Sequence, residues 1–307
     1  MRTQLSLLLI CGALAACARV EAVSAPVEVD MANVDLRLTS DITLHVKEMR
    51  GRFIPVKGDA PYLDDKRSYA VQVDTGEIAI DLASLNALMV QSLGHDRSNV
   101  ERLRVSFKDG ELEQKGVIDS KINVPFTVVS EVSATPDGRI LVRARSVRGF
   151  GMPVRPVMRL FGLELQNLVD TKPGIGVEVH GNDLIVDPAV IIPAPSIRGH
   201  LTQVRIENDR LVQRFGTAPG NTVASHPLAR SHIYWRGGRL AFGKLTMSDT
   251  DLELADSDPT DPFDFSLDHW NAQLVTGYSK TLPNNGLKVY MPDYGDVTRS
   301  TAAQASR

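Results

Sequence analysis

Four stretches of the chain alternate apolar and polar residues and then break at a turn. "RLRVSFKDGEL" sets Leu103, Val105 and Phe107 against Arg104, Ser106 and Lys108, then turns at Asp109-Gly110. "SEVSATPDGRILVRARS" turns at Pro136-Asp137-Gly138, after which Val142 and Ala144 alternate with Arg143 and Arg145. "IGVEVHGNDLIVD" alternates Ile175, Val177 and Val179 before Gly181-Asn182, and "LTQVRIENDRLVQRF" turns at Asn208-Asp209. A period of two broken by Asp-Gly or Asn-Asp is the pattern of antiparallel hairpins with one wet face. The stretches share only strand, turn and strand, so they are not a repeat. A chain built this way has to bury one face of a sheet.

Helices supply the partner layer. "IDLASLNALMVQSL" places Leu82, Leu85, Met89 and Leu93 on one stripe with Leu88 beside them, and Asp81 is the expected N-cap. "PVRPVMRLFGLELQNLVD" aligns Val157, Leu160, Phe161, Leu165 and Leu168, with Pro153 and Pro156 near its start. "SLDHWNAQLVTGYSK" places Leu267, Trp270, Leu274 and Tyr278 on a third stripe. The expected class is α+β: a curved, mainly antiparallel sheet of hairpins packed on two or three amphipathic helices.

The N-terminus carries a different signal. Arg2, the apolar run Leu5 to Leu14 and the small residues Ala15 and Ala16 have the order of an export signal. The run is shorter than the ~20 residues that a spanning helix needs. The "LAAC" stretch ending at Cys17 resembles the lipobox of bacterial lipoproteins, which implies cleavage before Cys17 and acylation of its sulfur. Cys11 follows a bulky Ile and would leave too short a run. These are the only two cysteines, so the processed chain has no disulfide framework, cysteine zinc site or thiol nucleophile. The expected organisation is a signal peptide over 1–16, a tether over 17–33, a main domain over 34–215 and a linker loop over 216–230. A hairpin-plus-helix block follows over 231–296, then a disordered tail over 297–307.

Few sequence patterns point to chemistry. A net charge of −3 argues against nucleic acid and against a polybasic membrane patch. None of the seven histidines stands in the i, i+4 spacing of a zincin helix, and no G-x-S-x-G elbow or phosphate loop occurs. "GFGMPV" is read as turn geometry. The acidic run holding Asp256, Asp258, Asp261 and Asp264 is a weak calcium candidate; it lacks the EF-hand order and reads first as a solvated Asp-Pro turn. Aromatic residues concentrate in the last third, from Tyr234 to Tyr294, and read as a small core rather than a carbohydrate- or membrane-contacting surface.

"EIAIDLASLNALM", "LRVSFKDGELEQKGVI", "PFTVVSEVSATPDGRILVRARSVRGFGMPV" and "GNDLIVDPAVIIPAPSIRGHLTQVRIEND" together resemble the LmeA-type phospholipid-binding proteins of the tubular lipid-binding (TULIP-like) group. The likeness lies in segment order over residues 34–215. It implies an elongated half-barrel with an apolar groove for acyl chains, and no family site residue transfers one by one. The expected function is therefore a periplasm-facing lipoprotein, held at the outer membrane through Cys17, that binds or shuttles lipid without catalysis or cofactor. The groove residues expected from the two stripes are Leu85, Leu88, Met89, Val157, Leu160 and Phe161. The alternative is an assembly lipoprotein that binds an envelope protein, and a hydrolase ranks last. An apolar cavity would favour the first, and a convergent polar pocket the third.

Overall fold

Val27, Val29 and Met31 are buried on alternate positions of the first strand, β1 (Val27–Arg37). At Asn33 the backbone enters the left-handed region (φ +54°), and the buried positions change parity to Val34 and Leu36. The next strand, β2 (Thr43–Pro55), changes parity opposite it, burying Leu44 and Val46 and then Met49 and Phe53. With β3 (Tyr69–Asp81) these form an antiparallel meander. Register shifts between Val46 and Glu48 and between Arg50 and Gly51 mark bulges, which increase local twist.

The computed structural model describes residues 25–93, 100–118, 123–149, 152–153, 176–180, 183–216 and 224–305. The remaining elements follow in chain order: α1 (Leu82–Leu93), β4 (Val100–Lys108), β5 (Glu111–Ile118), β6 (Val124–Ala134), β7 (Ile140–Gly149), β8 (Met152–Pro153), β9 (Val177–His180) and β10 (Asp183–Val186). Then come α2 (Pro188–Ile191), β11 (Ser196–Gly199), β12 (Leu201–Glu207), β13 (Arg210–Phe215), β14 (His232–Phe242) and β15 (Leu245–Asp256). The chain closes with β16 (Phe263–Ser266), α3 (Trp270–Thr276), β17 (Tyr278–Thr281), β18 (Leu287–Met291) and α4 (Tyr294–Ala305). The class is α+β with mostly antiparallel strands, as the hairpin pattern predicts. No helix among the described residues is long and apolar enough to cross a membrane.

Two sheets result. The larger runs β12-β13-β3-β2-β1-β14-β15-β18-β17, with β11 added parallel to β3 and β16 parallel to β1. Its core centres on Phe53, which stacks on Tyr69 at 4.7 Å and meets Trp235 edge-on at 5.9 Å. Each such ring, removed from water, contributes about 1.5–3 kcal/mol. The smaller sheet runs β4-β5-β6-β7-β10-β9, with β8 beside β7. It docks on the larger one where the β6–β7 turn meets β12, through a hydrogen bond from Leu201 N to Gly138 O. The helix α1 bridges the sheets. Asp81 caps it by accepting from Ser84 N, and Asn86 both donates to Val105 O and accepts from Val105 N, acting as a surrogate strand against β4.

Five expectations change. Residues 27–33 are not tether but the start of β1, since "VEVDM" is itself an alternating strand. The 231–296 block is not separate: β14 pairs directly with β1, so it continues the main sheet. Residues 297–305, expected as a disordered tail, continue α4, anchored by buried Val297 and by Asp293 O accepting from Asp296 N and Val297 N. Gly237-Gly238 is no turn. Strand β14 runs through it, and the chain reverses at Gly243-Lys244. Gly238 (φ +55°) allows the N-terminal segment to approach closely, since a Cβ there would stand 2.3 Å from Ala25 O. The third stripe is likewise shorter than expected, because α3 ends at Gly277 and Tyr278 opens β17.

Candidate functional site

The register of the smaller sheet sorts its side chains into two faces. Phe107 lies opposite Leu112, Gly116 opposite Phe126, Val128 opposite Val147 and Val132 opposite Val142. Val142 then lies opposite Leu184, and Leu184 opposite Val179. One face is therefore mainly apolar, interrupted by Gln114 opposite Val128 and by Ser130 opposite Leu112. The other carries the intervening charges, laced by ion pairs such as Arg143–Asp183, Lys115–Glu113 and Arg139–Glu178.

Burial along the apolar face is graded. Val105, Leu112, Val132, Ile140 and Val142 are buried and merge with the core shared with α1 and the larger sheet. Val124, Phe126, Val128 and Val147 are only half-buried and, among the described residues, stand outside that packed cluster. The α1 stripe lies on the packed side. Leu88 is 4% exposed within the core, with Leu85 and Met89 against it. Val157, Leu160 and Phe161 lie outside the described residues, as do Cys17 and the signal peptide. Of the six expected groove residues, the structure thus places three, all in or against packed core. The half-exposed Val124–Val128 patch was visible in sequence only as the alternation of "VPFTVVS".

Besides the exposed His180–Glu178 pair, three largely buried histidines are tied to acids. His45 lies between Asp35 (2.7 Å) and Asp81 (3.3 Å); the hydrogen bond with Asp35 raises its pKa against the opposing effect of burial. His232 pairs with Asp30 on the adjacent strand. His226 Nε2 is 2.5 Å from Glu253, a fully buried carboxylate that also accepts from Ala229 N and pairs with Lys288. Burial pushes Glu253 up, but these donors outweigh it and its pKa falls. Ser225 Oγ lies 3.0 Å from His226 Nδ1, an outline of a nucleophile, base and acid. Its hydroxyl donates to Asp251 at 2.6 Å, however, so the imidazole is not placed to take that proton. The network reads as a clamp holding residues 225–229 on β15.

The acidic run is rearranged relative to its sequence order. Asp258 accepts from Thr260 N and Oγ1, and Asp264 pairs with Arg37 and accepts from Gly295 N. Neither belongs to the cluster that forms, which is Asp256, Asp261 and Asp293. Asp293 has no signal in the run; the parallel pairing of β15 with β18, Asp256 beside Met291, brings it there. Burial pushes the Asp256 carboxyl up to about 7, with repulsion from Asp293, Asp261 and Asp258 adding to it. Burial likewise raises Asp293 to about 6, with Asp261, Asp264 and Asp296 adding to it. No family model, curated protein or solved structure matches the chain.

Proposed function

We propose that the chain is a non-catalytic cell-envelope lipoprotein, anchored through Cys17, that holds lipid acyl chains against the apolar face of its smaller sheet. One observation carries this reading. That face is mainly apolar, yet Val124, Phe126, Val128 and Val147 stay half-exposed instead of closing into the core. An acyl chain leaving a bilayer loses about 0.8 kcal/mol per CH₂ unless another apolar surface receives it. A sheet patch of valines and one phenylalanine receives it, with Gln114 opposite Val128 as a polar neighbour. The finer architecture, a TULIP-like elongated half-barrel, belongs to this proposal, with the stretch holding Val157, Leu160 and Phe161 as the expected second wall. The lipid is a phospholipid by the same resemblance.

The test measures binding of a fluorescent phospholipid to the purified protein, with native mass spectrometry for co-purified lipid. Val128→Asp and Phe126→Ser should weaken binding while leaving the melting temperature near wild type, since neither residue joins the packed cluster. Wild-type protein that takes up no lipid by either measurement would sink the reading and leave partner-protein assembly in its place.

A further inference from the structure

Asp256 ends β15, Asp261 lies in the loop before β16, and Asp293 stands between β18 and α4. Carboxylate oxygens of the three lie within 4.8 Å of one another. Such proximity is repulsive between like charges, and among the described residues no Lys, Arg or His forms a salt bridge with any of them. Asp256 is only 5% exposed. Its Oδ1 accepts from Asp258 N at 2.8 Å, while its Oδ2 is buried with no hydrogen-bond partner. A buried carboxylate oxygen without a donor is costly, and such groups normally pair or coordinate a metal.

The surroundings hold the carboxylates in place. Asp293 Oδ1 accepts from Asp264 N at 2.7 Å, and its backbone oxygen accepts from Asp296 N and Val297 N in the first turn of α4. The Asp261 loop is fixed from behind, its carbonyl accepting from Asn33 Nδ2 and Ser231 Oγ. We propose that Asp256, Asp261 and Asp293 bind a hard divalent cation, calcium by preference, tying the end of β15 to the following loop and to the start of α4.

The ligand chemistry selects the ion. All three groups are carboxylates, without imidazole or thiolate, which suits an oxygen-seeking cation rather than zinc or copper. Magnesium demands near-ideal octahedral geometry at short distance, whereas calcium accepts irregular sets of six to eight oxygens. Three carboxylates from three separate segments, one of them exposed, form an irregular set that water completes. The site is independent of the lipid reading and lies in the larger sheet.

The experiment uses the full chain, stripped with chelator and returned to chelator-free buffer. Calcium chloride is titrated by calorimetry, and thermal unfolding is followed over the same concentrations. Wild type should bind one calcium with Kd on the order of 0.1–1 mM, the range of calcium modules with modest ligand sets. Its melting temperature should rise with calcium. Asp261→Asn, an exposed change that leaves the fold intact, and Asp293→Asn should weaken binding roughly tenfold or more. Asp258→Asn should bind as wild type does. Neither heat nor a thermal shift at about 10 mM calcium, well above that range, would overturn the proposal. So would loss of binding in Asp258→Asn with retention in Asp293→Asn, which would place the ion in the linear acidic run. Equal affinity for magnesium would remove the calcium preference.

Discussion

His45 shows how one side chain couples the central strands to pH. It sits on β2 between Asp35 of β1 and Asp81 at the end of β3, and its folded pKa lies above 6.5. A raised folded pKa means that the folded state holds the proton more tightly than the unfolded one. The stabilisation is therefore complete below pH 6.5 and is lost as pH rises through the folded value. His45→Gln should lower stability by about 1.5 kcal/mol at pH 6, the low end for a hydrogen bond to a charged group. The gap between variant and wild type should narrow above pH 7 in denaturant titrations. A gap that stays constant with pH would show that the imidazole acts by packing alone.

Among the elements, α1 was legible almost to the residue. Its stripe, its Asp81 cap and its length all follow from local chemistry, and the structure keeps each of them. The destination of the stripe was not legible, because a core-packed leucine and a groove-lining leucine have the same local pattern. Leu88 is core. Leu88→Trp should therefore overpack the site and cost about 1–3 kcal/mol, read as a lower unfolding midpoint. A wild-type midpoint would mean open space beside α1. The β12–β13 hairpin of the larger sheet was equally legible. Asn208 and Asp209 both take positive φ, as the two-residue turn they suggested requires. Gly237-Gly238 misled because the same dipeptide serves a turn or a close backbone approach, and only the position of Ala25 distinguishes them. The acidic site was half legible. Asp256 and Asp261 stood in the run, while Asp293 reaches them only through a parallel strand pair that no local pattern encodes.

At the scale of the molecule, the assumed boundary near residue 230 disappears. The strand β1 lies in the interior of the larger sheet, with β2 on one side and β14 followed by β16 on the other. A chain ended at Arg230 would leave one side of β1 unpaired and expose Val27, Val29 and Met31 where Trp235 and Ile233 now cover the same layer. Such a fragment should fail to give a cooperative unfolding transition, and a cooperative melt from it would restore the two-domain picture.

Asn33 has a consequence in time rather than in space. There β1 exchanges one neighbour for another, pairing with β14 through Ala32 and with β16 from Val34 onward. Both neighbours are made long after β1 itself. During synthesis β1 can form its hairpin with β2 early, but its other edge must wait until the chain has grown through Ser266. Pairings so distant in sequence make for slow closure. Until they form, an apolar strand edge stands open, the kind of template on which other chains add. The newborn chain would need protection for that interval, and conditions that speed its growth relative to its folding would decide how much of it survives as a soluble protein.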